Sequence, residues 1–297
     1  MALPQLRPLV PATVCGNRGH PVSRDVTRPA PRGTGAPGTD DLTAPARRED
    51  VNRVDPESEL APRGVERGSS PLGLAQLARR AAEALAGAPA EDVVRWAADT
   101  FGNRLCITSS MTDAVIVHLV SRVRPGVDVI FLDTGYHFAE TIGTRDAVSA
   151  VYPVNVINVT PAQSVAEQDE QLGPRLYSRN PDLCCYLRKV VPLEQALEPY
   201  DAWITGVRKE ETDARSDTRA VQWDPRREMV KVNPIVDWTQ DQVDAYIADN
   251  GVLVNPLVYD GYPSIGCATC TVRVEAGADT RSGRWAGTGK TECGIHL

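Results

Sequence analysis

Three short apolar runs, each followed by a stretch with helical spacing, most restrict the folds open to this chain. Continuous apolar runs are typical of strands buried on both faces, and helices between successive strands make those strands run parallel. The pattern therefore predicts an α/β fold, with a parallel sheet covered by helices on both faces. The predicted strand and helix pairs are residues 105–108 and 114–123, 128–132 and 139–151, and 154–159 and 164–172.

Composition divides the 297 residues into three segments. Residues 1–70 contain ten prolines and seven glycines, so we expect a disordered extension that buries too little apolar surface to offset its ordering entropy. Residues 71–270 form the α/β domain, and residues 271–297 form a polar C-terminal segment that we expect to be a mobile tail wrapped over it. The other predicted elements are helices over 72–86, 90–98, 187–197 and 241–249 and a strand over 202–205.

Net charge and hydropathy exclude several classes of protein. The formal net charge is −7, so no overall basic field draws the chain to nucleic acid or to a membrane surface. No apolar run approaches the roughly 18 residues of a membrane span. Seven cysteines in a chain without a clear secretory signal favour a reducing compartment, the cytoplasm. The oligomeric state stays open, with a homo-oligomer among the alternatives.

Ligands of such sheets bind at the carboxyl ends of the strands, where three predicted loops carry polar residues. Hydroxyls in the first loop suit a phosphate or sulfate oxygen, or they cap the next helix. The glycine in the second loop either lets a ligand approach the backbone closely or simply forms a turn. The cation in the third loop either contacts a ligand or is a solvated surface charge. Their candidate residues are Ser109 and Ser110, then Leu132, Asp133, Thr134 and Gly135, and then Arg208.

Four cysteines form two closely spaced pairs, Cys184 with Cys185 and Cys267 with Cys270. Four thiolates can bind a zinc ion or a [4Fe-4S] cluster. Zinc sites more often use two Cys-x-x-Cys pairs, and adjacent cysteines reach one ion only with local strain, which favours the cluster. Two buried structural thiols beside a redox-active Cys-x-x-Cys pair are the alternative.

A further cysteine, Cys293, lies in the tail within the run KTECGIHL. A thiol near a terminus is often idle, but a tail can also expose a nucleophile. Arginine side chains match the geometry of sulfate and phosphate oxygens, and a lysine beside a cluster complements its charge. Candidate cations gather near the cysteine pairs in sequence, namely Lys189, Arg208, Arg215, Arg281 and Arg284.

Taken together, these residues resemble the assimilatory adenylyl sulfate reductases of bacteria, within the wider adenylyl and phosphoadenylyl sulfate reductase family. The resemblance covers residues 105–297 and combines six motifs, of which no single one would suffice. These motifs are LDTG at 132–135 with Glu140-Thr141, Cys184-Cys185 with Arg188-Lys189, TGxR at 205–208, GCxxC at 266–270, RSGRW at 281–285 and ECGxH at 292–296.

The resemblance implies an adenine-nucleotide α-hydrolase-like fold and an oxidoreductase of sulfate assimilation that serves cysteine biosynthesis. In this family Cys293 would attack the sulfur of adenylyl sulfate, release AMP and form a thiosulfonate, from which thioredoxin would release sulfite. Cys184, Cys185, Cys267 and Cys270 would hold a [4Fe-4S] cluster that is not thought to carry electrons. The sulfate and phosphate groups would be bound by Lys189, Arg215, Arg281 and Arg284.

The four clustered cysteines also bear on the substrate, because family members that act on the 3′-phosphorylated nucleotide typically lack them. This chain therefore resembles the type that acts on adenylyl sulfate, with a phosphoadenylyl sulfate or dual-substrate enzyme as the alternative. Two other functions stay open: a nucleotide-activating enzyme of the same fold, and a zinc-stabilised nucleotide-binding protein without turnover. The first loop lacks the glycine-rich signature of ATP pyrophosphatases, which argues against ATP hydrolysis. Lys209, followed by Glu210, departs from the family pattern, in which a second arginine is common.

Overall fold

The computed structural model of the protein describes residues 70–296. The predicted disorder of residues 1–70 falls almost entirely outside this range. None of the helices within residues 70–296 is long and apolar enough to cross a membrane.

The described chain forms one mixed sheet with helices between its strands. The strands are β1 Leu105–Thr108, β2 Val127–Leu132, β3 Val154–Val159, β4 Ala202–Ile204, β5 Val221–Asp224 and β6 Met229–Val232. The α-helices are α1 Pro71–Ala84, α2 Ala90–Phe101, α3 Val115–Val123, α4 Ala139–Val151, α5 Val165–Leu172, α6 Leu176–Arg179, α7 Pro181–Cys185, α8 Val191–Leu197 and α9 Gln240–Asn250. The predicted α/β fold class is confirmed.

The six strands lie in the order β3-β2-β1-β4-β6-β5, and all neighbours are parallel except β5 and β6. The antiparallel pair of β5 and β6 was not among the predicted elements. β5 has buried ends and two half-buried residues between them, and β6 carries a lysine in a fully buried strand, so neither shows a continuous apolar run.

The centre of the sheet is fully buried. Ile107 of β1, Phe131 of β2 and Trp203 of β4 are each 0% exposed. Apolar faces of the helices cover these strands, as where Val93 and Val94 of α2 are removed from water. Burial of such side chains contributes roughly 1.5 to 3 kcal/mol each, so the sheet is a rigid support for the loops at its edge.

The strand order reverses beside β1, and this reversal positions the site. The chain proceeds from β1 outward to β2 and β3, and then returns to place β4 on the other side of β1. The loops after β1 and β4 consequently separate, and a crevice opens between them at the carboxyl ends of the strands.

One helical stretch carries both a cysteine pair and two cations. The predicted helix over residues 187–197 in fact begins earlier, because α7 starts at Pro181 and Asn180 caps it by accepting a hydrogen bond from the Leu183 amide at 3.0 Å. A π-helical turn over Tyr186–Val190 then joins α7 to α8. Turns of this kind occur often at functional sites.

Candidate active site

A cavity of about 700 Å³ lies at the carboxyl ends of β1, β2 and β4. Its walls come from the three loops expected from the sequence, from α9 and from the C-terminal segment. One part of the lining is apolar, and another is rich in cations. The cations are Lys189, Arg208, Arg215, Arg281 and Arg284.

The loop after β1 places hydroxyl groups on the cavity without using them as the helix cap. The N-cap residue of α3 is Ala114, which has no side-chain cap, and the Val115 amide donates instead to Asp113 Oδ1 at 2.9 Å. Ser109 Oγ accepts one from the Met111 amide at 3.3 Å, and Ser110 Oγ lies 3.4 Å from a neighbouring threonine hydroxyl. Both serines line the cavity.

The loop after β2 divides its residues between the cavity and the turn. Leu132 and Thr134 line the cavity, whereas Asp133 and Gly135 do not. Asp133 Oδ1 instead accepts a hydrogen bond from the Gly135 amide at 3.1 Å, and the φ of +73° at Gly135 is one that other residues rarely adopt. Asp133 and Gly135 therefore shape the turn that presents Leu132 and Thr134 to the cavity.

His137, in the same loop, was not identified from the sequence. Its Nε2 donates to the Leu132 carbonyl at 2.8 Å, and its ring lines the cavity. Burial lowers the pKa of His137, so the imidazole is neutral in its native setting. His137 belongs to the FLDTGYHF run of the second loop, but the sequence does not show that its ring folds back onto the Leu132 carbonyl at the end of β2.

The loop after β4 separates two adjacent cations. Arg208 lines the cavity and donates to Gln240 Oε1 at 2.6 Å, which ties the loop to α9. Lys209 does not line the cavity, because its Nζ donates to exposed Asp237 at 2.6 Å. Lys209 and Asp237 thus form a surface ion pair, and pairs of this kind contribute little to stability.

Two cations of the cavity have no carboxylate partner within residues 70–296, namely Lys189 and Arg284. Although burial opposes the charged form, charge interactions with the neighbouring Cys267, Cys293 and Cys185 raise the pKa of Lys189. Lys189 therefore carries its charge at neutral pH.

Arg284 is held by neutral groups. Its guanidinium donates to Ser264 Oγ at 3.3 Å and to the Ile265 carbonyl at 3.1 Å, and it lies 4.5 Å from the centre of the Trp285 ring. Its Nε is buried and has no hydrogen-bond partner in the described chain. A Cβ atom at Gly266 would collide with this guanidinium, which explains the glycine in front of Cys267.

The four candidate metal ligands lie in one neighbourhood beside this cation pair. Burial, followed by the charges of Cys185, Cys267 and Cys270, raises the pKa of Cys184 to about 12. Thr134 Oγ1 lies 3.2 Å from Cys267 Sγ, which joins the loop after β2 to the cysteines. Within residues 70–296, no three ligand-type side chains converge closely enough to hold a single metal ion.

The tail brings Cys293 to the wall between two cavities. The thiol is half-buried and lines both the large cavity and a smaller one of about 230 Å³. It is the one cysteine of the described chain that lines the large cavity. Three residues on, His296 stacks on Trp203 with ring centres 5.8 Å apart.

This arrangement defines a class of protein: a nucleotide-binding α/β enzyme of the switch-point type, with a tail thiol facing a cationic cavity and a four-cysteine group beside it. Residues 104–273 match the family model described as the phosphoadenosine phosphosulfate reductase domain. The chain belongs to this family, as the resemblance from the sequence had implied.

Named relatives agree with this assignment. The chain is 60% identical over 223 residues to an adenosine 5′-phosphosulfate reductase of Streptomyces coelicolor, covering 75% of this chain and 94% of the relative. The enzyme of the same name from Mycolicibacterium smegmatis is 58% identical over 224 residues, covering 75% of this chain and 95% of the relative. The crystal structure of a phosphoadenylyl-sulfate reductase from Candida auris superposes with a TM-score of 0.57 at 32% identity, covering 66% of this chain and 97% of that one.

Proposed function

We propose that this protein reduces adenylyl sulfate to sulfite and AMP, with thioredoxin as the electron donor. One observation carries the proposal: the tail thiol of Cys293 and five cations line the same cavity at the switch point of the sheet. The apolar part of the cavity suits an adenine, and the cationic part suits a phosphosulfate. The names of the relatives support adenylyl sulfate as the substrate. The resulting sulfite would serve cysteine biosynthesis in the cytoplasm.

The first step forms a covalent bond to the enzyme. The Cys293 thiolate attacks the sulfur of the sulfate group, a sulfur–sulfur bond forms, and the bond from sulfur to the bridging phosphate oxygen breaks. AMP leaves with the electron pair of that bond, and the product is a thiosulfonate on Cys293. Lys189, Arg281 and Arg284 would bind the sulfate and phosphate oxygens and offset the charge that develops on the leaving group.

The second step releases the product. A thioredoxin thiolate attacks Cys293 Sγ, sulfite leaves with the electron pair of the sulfur–sulfur bond, and a mixed disulfide remains. The second thioredoxin thiol then attacks this disulfide and returns Cys293 to its reduced form. Two electrons pass from thioredoxin to the sulfur, which balances the reduction of sulfate to sulfite.

A [4Fe-4S] cluster fits the four-cysteine group better than zinc. The thiols of Cys184, Cys185, Cys267 and Cys270 are near one another, and the adjacent side chains of Cys184 and Cys185 diverge in direction, which makes binding of one ion by both strained. A four-iron cluster spans more space than one ion. Bound there, it would supply a fixed charge distribution next to Lys189 and the anion site. Anaerobically purified protein should contain iron and sulfide, and stoichiometric zinc without iron would contradict this assignment.

Sulfite formation with the two candidate nucleotides tests the substrate. With reduced thioredoxin present, adenylyl sulfate should give sulfite at least about 100-fold faster than phosphoadenylyl sulfate at equal concentration. Equal rates would indicate a dual-substrate enzyme, and the reverse order a phosphoadenylyl sulfate reductase. Release of pyrophosphate from ATP would indicate a nucleotide-activating enzyme. Nucleotide binding without sulfite would indicate a binding protein.

The role of Cys293 is tested by transfer of radioactive sulfur. Incubation with sulfur-labelled adenylyl sulfate, without thioredoxin, should label the wild type at Cys293 and leave C293S unlabelled while it still binds AMP. Cys15 provides a matched control, since it lies outside both the described residues and the motifs, and C15S should label fully. Labelling of C293S would exclude this nucleophile.

A further inference from the structure

The guanidinium of Arg215 is fully engaged by protein carboxylates. Its Nε donates to Glu292 Oε1 and its Nη2 to Glu292 Oε2, each at 2.9 Å, and its Nη1 donates to Glu211. Arg215 is only 9% exposed. A paired arrangement of two parallel bonds is the strongest geometry that arginine and a carboxylate adopt.

Glu292 is equally committed to this contact. Its side chain is buried, and it also accepts hydrogen bonds from Thr212 Oγ1 at 3.2 Å and from Arg281 at 3.4 Å. Burial raises the pKa of this carboxyl, but the bond from Arg215 and the charge of Arg281 together lower it below its usual range. The carboxylate is therefore ionised at neutral pH.

These contacts change the role expected of Arg215. The sequence places it among the residues that bind the substrate anion, but its donors face the tail and the loop after β4. Lys189 and Arg284, by contrast, have no carboxylate partner within residues 70–296 and still line the cavity. The cationic lining thus includes two residues without a carboxylate partner, Lys189 and Arg284, and two that contact Glu292 of the tail, Arg215 and Arg281.

Glu292 is the direct neighbour of Cys293 in the chain, so contacts that hold its carboxylate restrict the backbone that carries the thiol. We propose that Glu292 is a positioning residue, which docks the C-terminal segment on Arg215 and thereby sets Cys293 in the wall of the large cavity. The positioning role rests on the proposed function of Cys293. The docking of Glu292 on Arg215 does not rest on that function, and it can be measured without turnover.

Reactivity of Cys293 towards a small neutral electrophile tests the docking. Modification by iodoacetamide, quantified at the Cys293 peptide by mass spectrometry, should be about tenfold faster in E292A than in the wild type, because the tail is released. R215Q should show the same increase, and the double variant should show no more, because both changes break one contact. T291A is the matched control, since Thr291 is exposed and immediately precedes Glu292, and its rate should equal the wild-type rate.

Trypsin provides a second readout that does not depend on the ionisation of the thiol. Cleavage after Lys290 should accelerate about tenfold in E292A and R215Q and stay unchanged in T291A. Circular dichroism and iron content confirm that each variant is folded. Wild-type rates of both modification and cleavage in folded E292A would overturn the proposal.

Kinetics separate positioning from substrate binding. E292Q keeps the shape of the side chain and removes its charge, so kcat should fall about tenfold while the Kd for AMP stays within twofold of wild type. A tenfold weaker Kd for AMP in E292Q would overturn the proposal, since it would make this pair part of the nucleotide site. If C293S showed Cys293 not to be the nucleophile, the modification and cleavage results would still report on the docking alone.

Discussion

At the scale of single residues, the structure separates cations that the sequence groups together. Their positions in the chain predict a basic cluster, and five of them do line one cavity. Their distant partners could not be predicted, because Glu292, which pairs with Arg215, lies 77 residues away and Asp237, which pairs with Lys209, lies 28 residues away. Pairing across such distances is decided by the fold and leaves no local signal.

Replacing Lys189 should have a large effect on turnover. Because this buried lysine keeps its charge and has no carboxylate partner in the described chain, K189Q should lower kcat/KM for adenylyl sulfate about 100-fold. K209Q is the matched control, as Lys209 pairs with exposed Asp237 outside the cavity, and it should stay within twofold of wild type. Steady-state assays of sulfite release measure both, and an unaffected K189Q would remove this residue from the site.

The docked tail should be sensitive to mild acid through His296. Burial, followed by the charges of Lys231, Arg215 and Arg227, lowers the pKa of His296 well below its ordinary value. The imidazole of the unfolded chain takes up a proton below about pH 6.5, whereas the docked imidazole stays neutral. Below about pH 6.5 the unfolded state therefore binds more protons at His296 than the folded state, and the stability of the fold decreases as the pH falls through this range.

The H296Q variant isolates this contribution. The difference in Tm between wild type and H296Q should be largest above pH 7 and should shrink by pH 5.5. Thermal unfolding at a series of pH values measures it. A difference that is constant across this range would show that His296 does not titrate as its surroundings require.

At the scale of elements, the stretch from α7 through the π-helical turn to α8 carries the most information. It carries the candidate ligands Cys184 and Cys185. It also places Lys189 on the cavity and Arg188 in the protein interior. Arg188 is 3% exposed and donates to the Thr134 carbonyl at 2.5 Å and to Gln168 at 3.1 Å. It ties this stretch to the loop after β2 and to α5, so it is a structural arginine beside a functional lysine.

Loss of Arg188 should therefore lower stability. R188M retains much of the side-chain volume but leaves buried acceptors without donors, so the free energy of unfolding should fall by about 2 to 3 kcal/mol. Chemical denaturation measures the change. R95M is the comparison, because Arg95 forms an exposed pair with Asp92 and its loss should cost under about 0.5 kcal/mol. Equal stability of the two variants would contradict the structural role.

The elements differ in how far the sequence predicts them. β1 to β3 and the helices between them follow from apolar runs and helical spacing, and their predicted bounds differ from the observed ones by at most one residue. β5 and β6 were missed, because pairing and burial against α1 and β4 stabilise them and their own pattern does not. The early start of α7 was missed too, since its five residues are too few to show a helical period.

At the scale of the whole molecule, an acidic protein holds a cationic cavity. The formal net charge of −7 disfavours anions overall, while Lys189 and Arg284, the two cavity cations without a carboxylate partner in the described chain, attract them at the crevice. Focusing of this kind depends on ionic strength, because salt screens charges beyond about 10 Å at 0.1 M.

Salt should therefore weaken nucleotide binding in proportion to ligand charge. The Kd for AMP should rise about tenfold between 0.05 and 0.5 M sodium chloride, whereas the Kd for adenosine, which lacks the phosphate, should change less than twofold. Isothermal titration measures both ligands on the same protein. Parallel changes for the two would show that the phosphate does not reach the cations.

The position of Cys293 also bears on the design of covalent ligands. It is the one cysteine of the described chain on the large cavity, while Cys184, Cys185 and Cys106 are buried away from it. An adenosine analogue with a mild electrophile in place of its phosphosulfate would meet a single thiol. Its selectivity would come from the shape of the cavity, so the warhead itself could be weakly reactive towards other cellular thiols.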